Sequence, residues 1–235
     1  MNGGTNAPAY TMPHAEAEQR SFMVKVYGWM GLALTITALV AMTVSSYDYL
    51  VRMIMENMLL FFGLVIVQLV MVGTLAARIQ KMSATTATAV FFGYSALTGV
   101  VFSLLFVIYT SASIASTFLI TAGTFAVMSA YGYFTKRDLS SWGNILFMGL
   151  IGIIIASVVN IFFHSEMLYW IVTYAGILIF VGLTAYDTQK IKEMNIIGNE
   201  GTDEDRKEAI VGALRLYLDF INLFILLLRL FGQRR

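Results

Sequence analysis

Asp187 and Asp219 are the residues most able to do chemistry in this chain, because each lies in or against a long apolar run. Asp187 follows Leu183-Thr184-Ala185-Tyr186, and Asp219 sits within Leu216-Tyr217-Leu218-Asp219-Phe220-Ile221-Asn222. At the centre of a bilayer a carboxylate costs about 3 kcal/mol, so acids there mark ion or proton pathways or meet a partner. Two carboxylates in one poorly hydrated site cannot both ionise easily, and they titrate as a pair. A proton or a bound cation relieves the repulsion. Arg215 precedes Asp219 by four residues, a spacing that predicts an ion pair along one helix face. Gln68, Asn160 and Asn222 are also enclosed by apolar sequence, where their hydrogen bonds must be met inside the protein. For Gln68 and Asn160 the expected partners are neighbouring helices.

The elements that must hold these residues follow from composition. Hydrophobic residues make up 58% of the 235, charged residues only 12%, and mean hydropathy is +0.76; a soluble domain carries about 25% charged residues. This predicts an integral membrane protein. Seven apolar runs are legible, roughly Phe22–Val44, Asn57–Ala77, Ser83–Tyr109, Ser113–Phe134, Trp142–Phe163, Met167–Tyr186 and Ala209–Leu230. At ~1.5 Å per residue each crosses a hydrocarbon core of about 30 Å. The run Ile145-Leu146-Phe147-Met148-Gly149-Leu150-Ile151 does not alternate, which argues against an outer-membrane barrel. Residues 1–20, with both prolines and no apolar period, read as a disordered cytoplasmic tail, and 21–235 as one seven-helix domain. The first run is too long for a signal-peptide core.

Basic residues fall mostly on one side of the spans: Arg20, Lys25, Arg78, Lys81, Lys136, Arg137, Lys190, Lys192, Arg206 and Lys207, against Arg52, Arg229, Arg234 and Arg235. The positive-inside rule then places the N-terminus in the cytoplasm and, with seven spans, the C-terminus outside. A net charge of +1 leaves no basic excess for nucleic acid. The lack of cysteine removes disulfides, thiolate metal sites and thiol catalysis. No sequence motif of a nucleotide-binding or hydrolytic enzyme occurs, and no enzymatic activity is expected. His14 and His164 read as solvated residues of the tail and an outer loop. Asp203-Glu204-Asp205 lacks the spacing of a calcium loop; it reads as a solvated charged loop, with Thr202 capping the last helix. Ser95-x-x-x-Gly99 and Gly152-x-x-x-Ala156 are small-residue spacings that allow helices to approach closely.

Leu183-Thr184-Ala185-Tyr186-Asp187-Thr188-Gln189-Lys190-Ile191-Lys192, followed by Leu216-Tyr217-Leu218-Asp219-Phe220-Ile221-Asn222-Leu223-Phe224, resembles the signature of the Bax inhibitor-1 family in its bacterial branch; the loop Lys136-Arg137-Asp138-Leu139-Ser140 fits as well. The resemblance implies an all-α fold of seven transmembrane helices with the C-terminal helix central, in the bacterial inner membrane. It implies a pH-sensitive calcium leak, with calcium as transported ion and no resident cofactor; calcium takes about 6–8 oxygen ligands, so Asp187 and Asp219 would hold it weakly, with water and carbonyls completing the shell, as suits passage. Asp187 and Asp219 match the di-aspartate sensor, and Arg78 matches the basic latch on the first of those acids. Arg215 departs from the family pattern, where a small or hydroxyl residue often stands. Two other roles fit the same residues: regulatory partner of a membrane-anchored protease, and an intramembrane aspartyl protease of the presenilin type. The protease layout has glycines before its second aspartate, whereas Leu216-Tyr217-Leu218 stands here.

Overall fold

A computed structural model describes residues 12–235. Nine α-helices account for nearly all of it: α1 (Met12–Ser45), α2 (Asp48–Glu56), α3 (Met58–Arg78), α4 (Ala84–Phe102), α5 (Leu105–Ile108), α6 (Ser111–Phe134), α7 (Ser140–Phe163), α8 (Glu166–Met194) and α9 (Asp203–Phe231). Seven segments are long and apolar enough to cross a membrane, α4 and α5 forming one of them, Ala84–Ile108. The expected all-α membrane fold with seven spans therefore holds. Helix α2 was not legible as a separate element. It is a short helix between the first two spans that buries Val51 and Ile54 and leaves its charged residues outside.

Helix α9 is the centre. In its apolar window 72% of residues are buried, against 6% for the span containing α3 and none for α7. It is surrounded by α1, α4, α6 and α8. A helix carrying Arg215, Asp219 and Asn222 gains from this position, because lipid offers no partner for polar side chains and protein does. The core is built around Tyr217, fully buried, whose ring meets Phe91 and Tyr94 edge-on at 5.9 and 5.8 Å. Its hydroxyl hydrogen-bonds Thr37 at 2.7 Å, and Thr37 donates to the Ser95 carbonyl at 2.9 Å. Gln68 donates to Thr98 at 3.1 Å, linking α3 to α4 as expected. Asn160 does not join two helices in the same way. Its side-chain oxygen accepts from the Ser165 N–H at 2.8 Å and closes the turn from α7 to α8, where His164 takes a left-handed conformation.

The two small-residue spacings divide. A Cβ at Gly99 would lie 2.6 Å from the Thr37 carbonyl oxygen, so glycine permits the α1–α4 crossing there. Gly152 has open space around it, and no close approach depends on it.

The N-terminal expectation is corrected for the described residues. Residues 12–20, assigned to a disordered tail, belong to α1, and residues 1–11 lie outside the described part of the chain. This extension is held by contacts that composition does not reveal. Glu18 accepts from the Gly198 N–H at 2.8 Å, Gln19 donates to the Lys192 carbonyl at 3.1 Å, and Ser21 donates to Glu200 at 2.6 Å. Thr202 caps α9 as predicted, its hydroxyl accepting from the Asp205 N–H. The acids after it are not simply solvated. Asp205 is buried, pairs with Lys25 at 2.7 Å and accepts from the Gly201 N–H at 2.9 Å. At the opposite end of the bundle the C-terminal residues pair with the α5–α6 junction, Thr110 N–H to the Gln233 carbonyl and Arg235 N–H to the Ile108 carbonyl, both at 3.0 Å.

Lys25→Ala leaves the buried Asp205 carboxylate without its cation. The substitution is expected to destabilise the detergent-solubilised protein by about 1–3 kcal/mol and to speed proteolysis between α8 and α9. Thermal unfolding and limited digestion measure both, and an unchanged digestion rate would remove the pairing from the account of this loop.

Candidate functional site

The signature around Asp187 is a set of anchors that fixes one side chain. Gly132 of α6 lies against the Ala185 backbone and Gly143 of α7 against the Tyr186 ring, neither with room for a Cβ. Thr188 hydrogen-bonds Ser129 of α6 at 2.9 Å, and Ser129 meets the Tyr27 hydroxyl of α1. Gln189 donates to the Arg137 carbonyl at 2.8 Å and accepts from the Leu139 N–H at 2.9 Å, clamping the α6–α7 loop. Lys192 donates to the Tyr133 carbonyl at 3.0 Å. With its neighbours held by α1, α6 and α7, Asp187 is turned toward α9.

Asp219 waits on that helix, 4% exposed. Close packing of α8 on α9 begins two turns earlier, at Gly212, where a Cβ would meet the Ile191 side chain at 2.8 Å. The structure brings the two acids, 32 positions apart in sequence, to the wall of one cavity between α7, α8 and α9. The Oδ2 atom of Asp219 is buried and has no hydrogen-bond donor among the described residues. An acceptor left unmet in this way costs about 1–3 kcal/mol.

Arg215 is not paired as its spacing predicts. Its Nη1 lies 3.9 Å from Asp187 Oδ1 on α8, and among the described residues it forms no ion pair with Asp219. Asp219 points into the buried seam, whereas the Arg215 side chain, 47% exposed, lies on the flank of α9 and reaches across to α8. A separation of 3.9 Å is an ion pair without a hydrogen bond. Arg78 is not brought to the site. It ends α3, is exposed, and forms no ion pair with Asp187 among the described residues; α3 packs mainly on α4. Asn222 donates to the Leu218 carbonyl of its own helix at 2.7 Å.

The three charged residues line a cavity of about 1040 Å³ between α7, α8 and α9, which also reaches Asn144, Tyr186, Asn222 and Arg229. Among the described residues no group of three or more His, Cys, Asp or Glu gathers. An ion held by Asp187 and Asp219 would complete its shell with water, carbonyls or the Asn222 side chain. Asp138, in the loop clamped by Gln189, is a separate matter: hydrogen bonds from the Ser140 hydroxyl and N–H hold its exposed carboxyl below the usual carboxylate range. Its titration lies apart from the pair.

Sequence reasoning missed Tyr27, Ser129, Thr188 and Gln189 as positioning groups. The signal available was the polar run Thr184–Gln189 inside an apolar segment, but the partners lie on α1, α6 and the α6–α7 loop and have no local signature.

Comparison with known proteins covers nearly the whole described chain. The model of a family described as inhibitor of apoptosis-promoting Bax1 matches residues 19–235. The chain is 54% identical over 217 residues to the inner membrane protein YbhL of Escherichia coli strain K12, covering 92% of this chain and 93% of that protein. It is 46% identical over 217 residues to a Borreliella burgdorferi protein, covering 92% and 94%.

Because Asp219 is buried with an oxygen unmet, Asp219→Leu is expected to raise thermal stability in detergent, by about 1 kcal/mol. A lower melting temperature would mean that the carboxyl pair holds α8 to α9 rather than straining their packing.

Proposed function

The chain belongs to the Bax inhibitor-1 family, and from that premise we propose that it is a pH-sensitive calcium leak of the bacterial inner membrane, gated at the Asp187–Asp219 pair. The observation that carries this reading is the apposition of two carboxyls at a cavity wall inside the bundle, one of them buried with an oxygen unmet. In the closed form the pair holds one proton between its oxygens, and Arg215 balances the remaining charge from the Asp187 side. No net charge then stands in the membrane. Loss of the proton leaves two carboxylates facing one guanidinium, and repulsion between them opens the α8–α9 seam or draws in a calcium ion. Protons and calcium therefore compete, and the leak falls as pH falls.

Proteolysis fits the geometry less well. A water-activating dyad must present both carboxyls to water and substrate, whereas Asp219 is almost fully enclosed and Arg215 stands over Asp187. With the N-terminus cytoplasmic, the pair lies nearer the cytoplasmic face, where the basic loops gather. The name of the Escherichia coli relative supports the inner membrane as the location.

Purified protein in proteoliposomes is expected to pass calcium at pH 8 and much less at pH 6, and Asp219→Asn to flatten that dependence. Flux with the same pH profile in Asp187→Asn and Asp219→Asn would overturn the proposal. Arg215, rather than Arg78, is the cation that restrains the pair in this arrangement. Arg215→Ser should accordingly move the pH midpoint of the leak upward by about 1 unit, so that flux near neutral pH falls, since loss of a nearby cation favours the protonated acid. The flux reached at high pH, where both carboxylates are charged and unbalanced, should rise. Arg78→Ala should leave flux unchanged; a raised leak in Arg78→Ala would return the latch to that residue.

A further inference from the structure

Beyond the acid pair, the same cavity runs on toward the C-terminal end of α9 and changes character. Helix α7 packs chiefly on α8 and stands away from α9, so a groove remains between them. Phe147, Leu150, Ile154 and Val158 of α7 form one wall, with Ile225 and Leu226 of α9 opposite. From Phe147 to Val158 the wall is about 16 Å long at ~1.5 Å per residue, the depth of one leaflet of a hydrocarbon core of about 30 Å. At its mouth stands Arg229, whose guanidinium lies over the Tyr169 ring at 5.4 Å and which forms no ion pair among the described residues. The groove is thus mostly apolar, ends inward at Asn222 and Asp219, and carries toward the C-terminal end of α9 a cation without an ion-pair partner among the described residues. A flat apolar helix face meets lipid without preference, but a concave one with a cation at headgroup level selects charge.

We propose that the α7–α9 groove holds one acyl chain of an anionic phospholipid, with the lipid phosphate on Arg229. The Tyr169 ring against the guanidinium positions Arg229 at the end of the groove, where it meets the phosphate, and the chain fills the channel down to Asn222. The bound lipid belongs to the leaflet on the side of the C-terminus, opposite the basic loops. This site does not depend on the calcium reading, since its recognition elements are Arg229 and the apolar walls.

The absence of cysteine allows a single label. A fluorophore on Ile154→Cys, in the full chain reconstituted into phosphatidylcholine nanodiscs, is quenched by small amounts of lipid with brominated acyl chains. Brominated phosphatidylglycerol is expected to occupy the groove about fivefold more readily than brominated phosphatidylcholine. A label on Ile145→Cys, exposed on α7 and outside the cavity lining, should show no preference. Arg229→Gln should abolish the preference at position 154 and Arg229→Lys should retain it, so that loss of charge is told apart from loss of folding. Native mass spectrometry of the unlabelled chain should find one retained phosphatidylglycerol, lost on Leu150→Trp. Equal quenching by the two lipids would reduce the groove to ordinary boundary lipid. A preference surviving in Arg229→Gln would remove the headgroup contact, and quenching by neither lipid, with labels on two copies in proximity, would give the groove to a second chain; each of these outcomes overturns the proposal.

Discussion

The close packing of α8 on α9 is the constraint on which the rest of the molecule depends. It sets a carboxyl from each helix against the other inside a membrane bundle, an arrangement that no helix pair would adopt for stability alone. The surrounding structure compensates. Glycines at 132, 143 and 212 let backbones and rings come close enough to hold the two helices in register, and the hydroxyl and amide groups of Ser129, Thr188 and Gln189 tie α8 to three neighbours. The unmet oxygen of Asp219 is the residue of strain that this rigidity maintains.

The placement of α9 follows from the same physics. Hydrophobic segregation does not order helices within lipid, where every apolar face is equally content; what orders them is the need of polar groups for partners. Helix α9 carries Arg215, Tyr217, Asp219 and Asn222 and is buried most, while α7, whose apolar window has no buried residue, lies at the periphery. The polar ladder Thr37–Tyr217 on one side of α9 and the acid pair on another show one helix serving two buried polar sites at once. The groove beside α7 is a consequence: a helix with little to bury except against α8 leaves space next to α9.

Charge is distributed with similar economy at the two ends of the bundle. At the N-terminal end Lys25, Glu200 and Asp205 join the start of α1 to the α8–α9 connection, the loop that follows directly from the helix carrying Asp187. A loop held this firmly limits how far the ends of α8 and α9 can separate. At the far end the chain terminus is pinned to the α5–α6 junction by backbone hydrogen bonds.

Seven spans, the all-α class and the two acids were legible in the sequence because each rests on a local property: runs of apolar residues of bilayer length, and carboxylates that do not belong in them. The resemblance carried the centrality of the last helix. Pairings between helices were decided only by tertiary structure. Arg215 and Asp219 share a helix face by spacing, yet Arg215 turns to Asp187, because the direction of a side chain in a bundle is set by which neighbour offers room and charge. Arg78 stands at a helix end that local sequence marks as basic, and its distance from the acids is a matter of which helices α3 packs against. Residues 12–20 look structureless by composition and are helical because Gly198 and Lys192, 180 and 173 positions from Glu18 and Gln19, supply their partners. Local hydrophobicity determines how many helices cross the membrane, and only the packed bundle determines which of their polar side chains meet, since those contacts join positions that are remote in the chain.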